Sequence, residues 1–445
     1  MTATISVEKD MERVFALQTA NQVVVGLSDA DERSAKMRRL REVILNHADA
    51  IQKALAADLG KPMGEGLHLE ISGTLTDIDD AVANLREWMT PSAITPSHPE
   101  GGAKAYLKYE PRGRVLLLAP WNFPFSLVFS PLVAIVAAGN TAIVKTNEMA
   151  PAVADVIAQI IAEAFDENEV AVFTGGVDVT VGLQELPFDH IFLTGSPRVG
   201  KMVMTAAAKH LASVTLELGG KCPAIVGPDA DMAIAIPSIG IGRTFNLGQT
   251  CLCADYAIVP ESSRDIFVQQ LVTFLTDTYY VDGEYRAERN SHIVDVRNFN
   301  RVKSYIDDAV ARGAKVAFGG GSDEDSLIIE PTILIDVPED AHILEEEVFG
   351  PVLAIVTYET AEDIISIVRR NGKPLGMYLF ARDMGFVDFI LGRTSSGGVT
   401  VNGWANHWFE NRLPFGGVNK SGTGRYHGVH GFRELSHERA VYIAA

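Results

Sequence analysis

Residues 141–165 read TAIVKTNEMAPAVADVIAQIIAEAF. The opening TAIVKT is a short apolar run that predicts a strand, and the segment from Pro151 predicts a helix. The alternation extends both ways. Upstream, VLLLAP reads as a strand and PLVAIVAAG as a helix. Downstream, VAVFTG and HIFLTG read as strands, PRVGKMVMTAAAKH as a helix and SVTLEL as a strand. Strands that are apolar almost throughout and alternate with helices predict an α/β fold, with a parallel sheet covered on both faces. The second half repeats the pattern less regularly, through AIVGP, DYAIVPE, the helix RDIFVQQLVTFLTDTY, KVAFGG, PTILIDV, VLAIVTYE, LGMYLFARD and VTVNG. Two α/β lobes with a cleft between them follow from pattern alone. Ahead of them, residues Met11 to Met89 read as helices, with one run from Ala35 to a stop at Gly60. A turn-rich linker spans Thr90 to Gly102.

The 445 residues suggest two to three domains and a large core. A net charge of −19 argues against a nucleic-acid partner, whose phosphates need Lys and Arg, and against an anionic membrane surface. From Val115 to Val144 no residue is charged, but Pro120, Asn122, Pro124 and Pro131 interrupt the run, so a buried strand, turn and helix are expected rather than a membrane span. The N-terminus carries acids where a secretion signal would be basic, and the three cysteines cannot build a disulfide framework, so a cytoplasmic protein is expected.

Several stretches carry chemistry. Gly195-Ser196-Pro197-Arg198-Val199-Gly200 follows a strand, with Ser196 suited to cap a helix whose free N–H groups would face an anion. Lys145 and Glu148 stand at a strand end, where a carboxylate could accept ribose hydroxyls. In Pro120-Trp121-Asn122-Phe123-Pro124 two prolines fix the backbone around an asparagine. Glu217 precedes Leu218-Gly219-Gly220 at a strand end facing the ligand crevice, where it could be a general base or a surface residue. Two of the three cysteines, Cys251 and Cys253, lie in NLGQTCLCAD. Neither their spacing nor the single further Cys222 makes a zinc site. On a helix the two would point apart, so one could serve a site without the other. The segment does not say which.

PWNFP, TGSPRVGK, LELGGK, NLGQTC, EEEVFGP and LPFGGVNKSG occur here in an order and spacing that resembles the aldehyde dehydrogenase superfamily. The likeness runs from about Arg112 to Gly428 and is strongest to the class 3 branch of aromatic and fatty aldehyde dehydrogenases. It implies a Rossmann-like cofactor domain (1–93 and 112–217), a catalytic domain (218–422) and a small β bridging element (94–111 and 423–445) that serves oligomerisation, as a homodimer. It implies Cys251 as nucleophile, Glu217 as general base and Asn122 as oxyanion donor, with the Cys251 N–H as second donor. It implies a cofactor site of Trp121, Lys145, Glu148, Gly195, Ser196, Gly200, Leu218, Gly219, Glu347 and Phe349. The cofactor expected is NAD, because Glu148 would repel a 2′-phosphate, with NADP as an alternative. Thr146-Asn147 departs from the family's usual Pro-Ser or Pro-Ala at that point. Phe123, Trp404, His407, Trp408 and Phe415 are expected in a pocket for an apolar or aromatic aldehyde. No metal is expected. A CoA-acylating enzyme, an idle relative and a Cys–His hydrolase are the competing readings.

Overall fold

The computed structural model describes residues 2–97 and 102–444. A six-stranded sheet runs in the order Gly422–Thr423, Ser213–Glu217, His190–Thr194, Arg114–Leu118, Thr141–Lys145, Val170–Phe173, parallel except for the first pair. The chain enters at the central strand Arg114–Leu118, winds outward to Val170–Phe173, then crosses to the other side at His190–Thr194. The order therefore reverses beside the C-terminal end of Arg114–Leu118, and ligands of open α/β sheets bind at such a switch point. Asn122, Lys145 and Gly195 all follow strands that end there.

The uncharged run resolves into the Arg114–Leu118 strand, the helix Ser126–Ala138 and the strand Thr141–Lys145. Every residue of that helix is buried, which explains its lack of charge. The run ending at Gly60 is two helices, Ala30–Asn46 and Ala48–Leu59, broken at His47. Gly60 ends the second with φ 65°, a left-handed cap. Residues Gly66–Ser72 form a π-helical turn ahead of the helix Gly73–Trp88.

A second, seven-stranded sheet runs Lys315–Phe318, Thr332–Ile335, Val352–Tyr358, Tyr256–Pro260, Pro223–Val226, Gly376–Phe380, Gly398–Val401. Only its first pair is antiparallel. A three-stranded antiparallel sheet joins Ser92–Ile94, Lys104–Pro111 and Ser436–Ile443. Of the 423–445 span, only Ser436–Ile443 enters that sheet. Thr423 pairs with Leu216 in the six-stranded sheet, and the helix Gly428–Glu434 packs on Gly73–Trp88 and Ser126–Ala138, because Phe432 and Leu435 are buried there. Among the described residues, no helix is long and apolar enough to cross a membrane.

Candidate active site

Two cavities meet at Cys251. The first encloses about 490 Å³ and is lined almost wholly by apolar side chains, among them Leu69, Phe123, Leu127, Phe245, Trp404 and Trp408. The second is a polar cleft of about 1050 Å³, where Asn122, Glu217, Glu347 and Cys251 all line the wall. Cys251 lines both. The half-buried thiol thus sits where a greasy channel opens onto a polar groove.

The loop around it is held from several sides. Asn246 and Leu247 adopt left-handed backbone (φ 48° each), and Asn246 Nδ2 donates to the carbonyls of Asn122 and Gln249 at 3.0 and 3.1 Å. Asn122 Nδ2 donates to the same Gln249 carbonyl at 3.1 Å, which ties the asparagine to the thiol loop and leaves its second N–H without a partner among the described residues. Leu252 O accepts from Tyr378 Oη at 2.5 Å and Trp404 Nε1 at 2.8 Å. Asp255, beneath the loop, is buried against Lys221 and Arg243 and accepts from the Val348 N–H at 3.0 Å. That cluster joins the ends of three stretches: LELGGK, the thiol loop and EEEVFGP.

The two neighbouring thiols part company. Cys253 is buried, its Sγ donating to the carbonyl of Gly242 at 3.0 Å on the far side of the loop. The segment is a turn rather than a helix or strand, so the face argument from spacing applies to neither thiol. Cys222 is also buried, with its Sγ 3.4 Å from the Cys251 carbonyl. Burial, then the charges of Glu347 and Glu217, push the Cys251 thiol up to about 12, opposed by the backbone N–H groups of Cys251 and Leu252. Glu217 ends its strand with neither carboxylate oxygen hydrogen-bonded among the described residues. Burial raises its carboxyl well above the usual range, with Arg425 opposing. Unsatisfied buried carboxylates are costly, and this one sits in the wall of the polar cleft with less than 1 Å² of either oxygen accessible.

The polar cleft has the features of a dinucleotide site. Gly195 and Ser196 line it at the start of the helix Pro197–Ala208, where Ser196 caps the Val199 N–H at 3.4 Å. Free N–H groups at a helix start attract pyrophosphate. Glu347 crosses the cleft so closely that a Cβ at Gly219 would come within 2.1 Å of its carboxylate, so a larger residue there would have to displace the Glu347 side chain. Arg301 steadies that segment by donating to the carbonyls of Val348 and Phe349 at 2.8 and 3.4 Å. Phe349 meets Trp121 edge to face at 5.4 Å. Burial pushes Glu347 up to about 8.

Of the residues expected here, Trp121, Gly195, Ser196, Leu218, Gly219, Glu347 and Phe349 line the cleft. Lys145 and Glu148 stand beside it at the end of Thr141–Lys145, with the Lys145 ammonium 3.4 Å from Glu148. Gly200 does not face the cleft. Its Cβ position is 3.1 Å from Leu218, so the missing side chain lets helix pack on strand. Phe123, Trp404 and Trp408 line the apolar pocket, but His407 and Phe415 do not. His407 lies behind it, with Nδ1 2.8 Å from Thr400 Oγ1 and its ring stacked on Phe415 at 6.3 Å.

Other lining residues escaped the sequence reading. Asp295, Arg297, Asn298 and Arg301 reach the cleft from the start of the helix Val296–Arg312, which Asp295 caps through the Asn298 N–H at 2.7 Å. The signal was there: an Asx cap followed by Phe299, Val302, Ile306 and Ala309 on one buried face. Lys61 and Glu70 were also passed over. They form a fully buried pair at 2.6 Å beneath Phe123, and Glu70 Oε2 accepts the N–H groups of Phe125 and Ser126 at 3.2 and 2.8 Å, bracing the turn that carries Asn122. Glu70 lies 55 residues from Phe125 in sequence, so spacing does not reveal that the pair braces this turn.

The profile of the aldehyde dehydrogenase family matches residues 2–441. The chain belongs to that family. This aldehyde dehydrogenase is 43% identical to AldX of Bacillus subtilis over 442 residues, 99% of each chain. It is 38% identical to the dimeric NADP-preferring aldehyde dehydrogenase of Rattus norvegicus over 411 residues, 92% of this chain and 89% of that one. The substrate-bound state of Staphylococcus aureus AldH superposes with a TM-score of 0.93 at 38% identity, covering 98% of this chain and 94% of that chain. These likenesses agree with the class 3-like branch that the motifs resemble.

Proposed function

We propose that this aldehyde dehydrogenase oxidises apolar or aromatic aldehydes to carboxylic acids with NAD(P)⁺. The observation that carries the reading is the position of Cys251, shared by an apolar pocket and a polar cleft lined by Asn122 and Glu217. The aldehyde lies in the apolar pocket with its carbonyl at Cys251. Cys251 Sγ adds to the carbonyl carbon, and the carbonyl electron pair moves onto oxygen. The second N–H of Asn122 and the Cys251 N–H hold that oxyanion. The thiol proton passes to water of the polar cleft that Cys251 borders, which leaves Glu217 ionised for the later step. Ser196, Lys145, Glu148, Glu347 and Phe349 would hold the cofactor, which would supply the hydride acceptor that the adduct needs to become a thioester. Glu217 then takes a proton from water as it attacks the thioester carbon. The C–S bond breaks and Cys251 leaves as thiolate, reprotonated from Glu217.

Free acid in one-to-one yield with reduced nicotinamide, from a panel of apolar aldehydes with each cofactor, is the expected assay result. Acyl-CoA formed in preference to acid, or no product from any aldehyde, counts against the reading. Asn122→Ala is expected to lower kcat by about a hundred- to a thousandfold with little change in KM for the cofactor, the usual cost of one oxyanion donor. A cofactor KM that rises in step would show the asparagine serving the cofactor instead.

NAD⁺ is the cofactor we assign, with NADP⁺ as an alternative. Glu148 supports the choice, because its partly exposed carboxylate would repel a 2′-phosphate. We further read a cytoplasmic homodimer. The three-stranded sheet, with Ile94, Tyr442 and Ile443 exposed, supports assembly through that edge. A light-scattering mass of a tetramer would count against it.

A further inference from the structure

Beside the apolar pocket lies a second chamber of about 540 Å³. The two share Leu69, Trp408 and Phe409 as a common wall. The other side chains in its walls are polar: His68, Ser72, Thr76, Asp77, Asn411 and His427. His427 is only 5% exposed, and its Nδ1 has no hydrogen-bond partner among the described residues. Its ring is fixed by aromatic neighbours, stacked on Phe415 at 5.3 Å and set edge to face with Trp408 at 5.6 Å and Tyr426 at 4.5 Å. That nitrogen has less than 1 Å² of accessible surface, so what fills the chamber can meet only the ring's other nitrogen.

The chemistry of the walls selects what fills it. Burial pulls His427 down to about 3, so the ring is neutral and its reachable nitrogen donates or accepts according to tautomer. A hydroxyl, itself donor and acceptor, matches such a ring. An anion does not, because the Asp77 carboxyl stands in the same chamber, hydrogen-bonded by Ser130 and by Asn411 Nδ2 at 2.9 Å. The chamber has room: a Cβ built on Gly73, at the start of the helix Gly73–Trp88, meets nothing within 4 Å.

We propose that this chamber is a distal subsite of the substrate path, which takes a hydroxyl at the far end of an elongated, otherwise apolar aldehyde, with His427 as its hydrogen-bond partner. Trp408 and Phe409 form the threshold between the apolar body of the substrate and its polar end. The inference rests on the aldehyde-oxidising reading above, and it adds a specificity that the apolar pocket alone would not give. A pocket of hydrocarbon walls discriminates weakly, whereas a site that hydrogen-bonds a hydroxyl penalises the analogue lacking it.

The test is kcat/KM of the enzyme with its cofactor, for straight-chain aldehydes of increasing length and their ω-hydroxy counterparts. The expected result is a hydroxyl preference of about tenfold at one chain length, the effect of a single net hydrogen bond. His427→Phe keeps the aromatic stack and removes both nitrogens. Gly73→Leu adds a side chain at a helical position that lines the chamber, where a Cβ meets nothing within 4 Å. Each variant is expected to bring the ratio back to about one. The inference is overturned by a wild-type ratio near one at every length, or by a preference that survives in either variant. Failure of the underlying reading looks different, since the unsubstituted aldehydes would then give no acid either.

Discussion

Cys251→Ser is expected to lower aldehyde oxidation by about a thousandfold or more, while Cys253→Ser keeps most of it. The two thiols are two residues apart, yet they occupy different surroundings. Cys251 lines both the apolar pocket and the polar cleft. Cys253 donates its S–H to the Gly242 carbonyl behind the loop. A serine at 251 keeps the volume but offers an oxygen far less able than sulfur to add to the carbonyl and then leave from the acyl intermediate. Both variants are expected to bind the cofactor as the parent does, which titration of nicotinamide fluorescence measures. Substantial turnover in Cys251→Ser, or its loss in Cys253→Ser with binding intact, would place the nucleophile elsewhere.

The second large effect is expected at Glu217. Glu217→Gln should still produce reduced nicotinamide in a single burst of about one per site, followed by a steady state slowed by about a hundred- to ten-thousandfold, the range for loss of a positioned general base. The pH dependence follows from its raised carboxyl. Only the ionised form accepts a proton from water. Burial holds the carboxyl well above its ordinary range, so the deacylation rate falls as the pH drops below that raised value and rises through it. The glutamine variant has nothing to titrate there, so its slow steady state should lose that limb of the profile. A variant with neither burst nor turnover would assign Glu217 to thiol activation alone.

The alternation around TAIVK made the first sheet legible, because its strands are buried on both faces and contain almost nothing polar. Asn122, Glu217 and Cys251 were nameable through the motifs that hold them. Their convergence was not, since it depends on a strand order that reverses beside Arg114–Leu118. The substrate wall was only half legible. Trp404 and Trp408 line the pocket, but His407 and Phe415 turn behind it, because a neighbouring ring and Thr400 are nearer than open space. Leu69 and Phe245 reach the pocket from remote stretches with no local signal. Lys61 and Glu70 are near neighbours in sequence, but their place under Phe123 appears only once the N-terminal helices close over the turn.

The central claim is that Cys251 carries the acyl group at the junction of the two cavities. The direct measurement is mass spectrometry of Glu217→Gln protein, quenched in acid after mixing with an apolar aldehyde and NAD⁺. The account predicts that the peptide containing Cys251 gains the mass of the acyl group, in an amount equal to the burst of reduced nicotinamide. Acylation of Cys253 or Cys222, or a full burst with Cys251 unmodified, would contradict it.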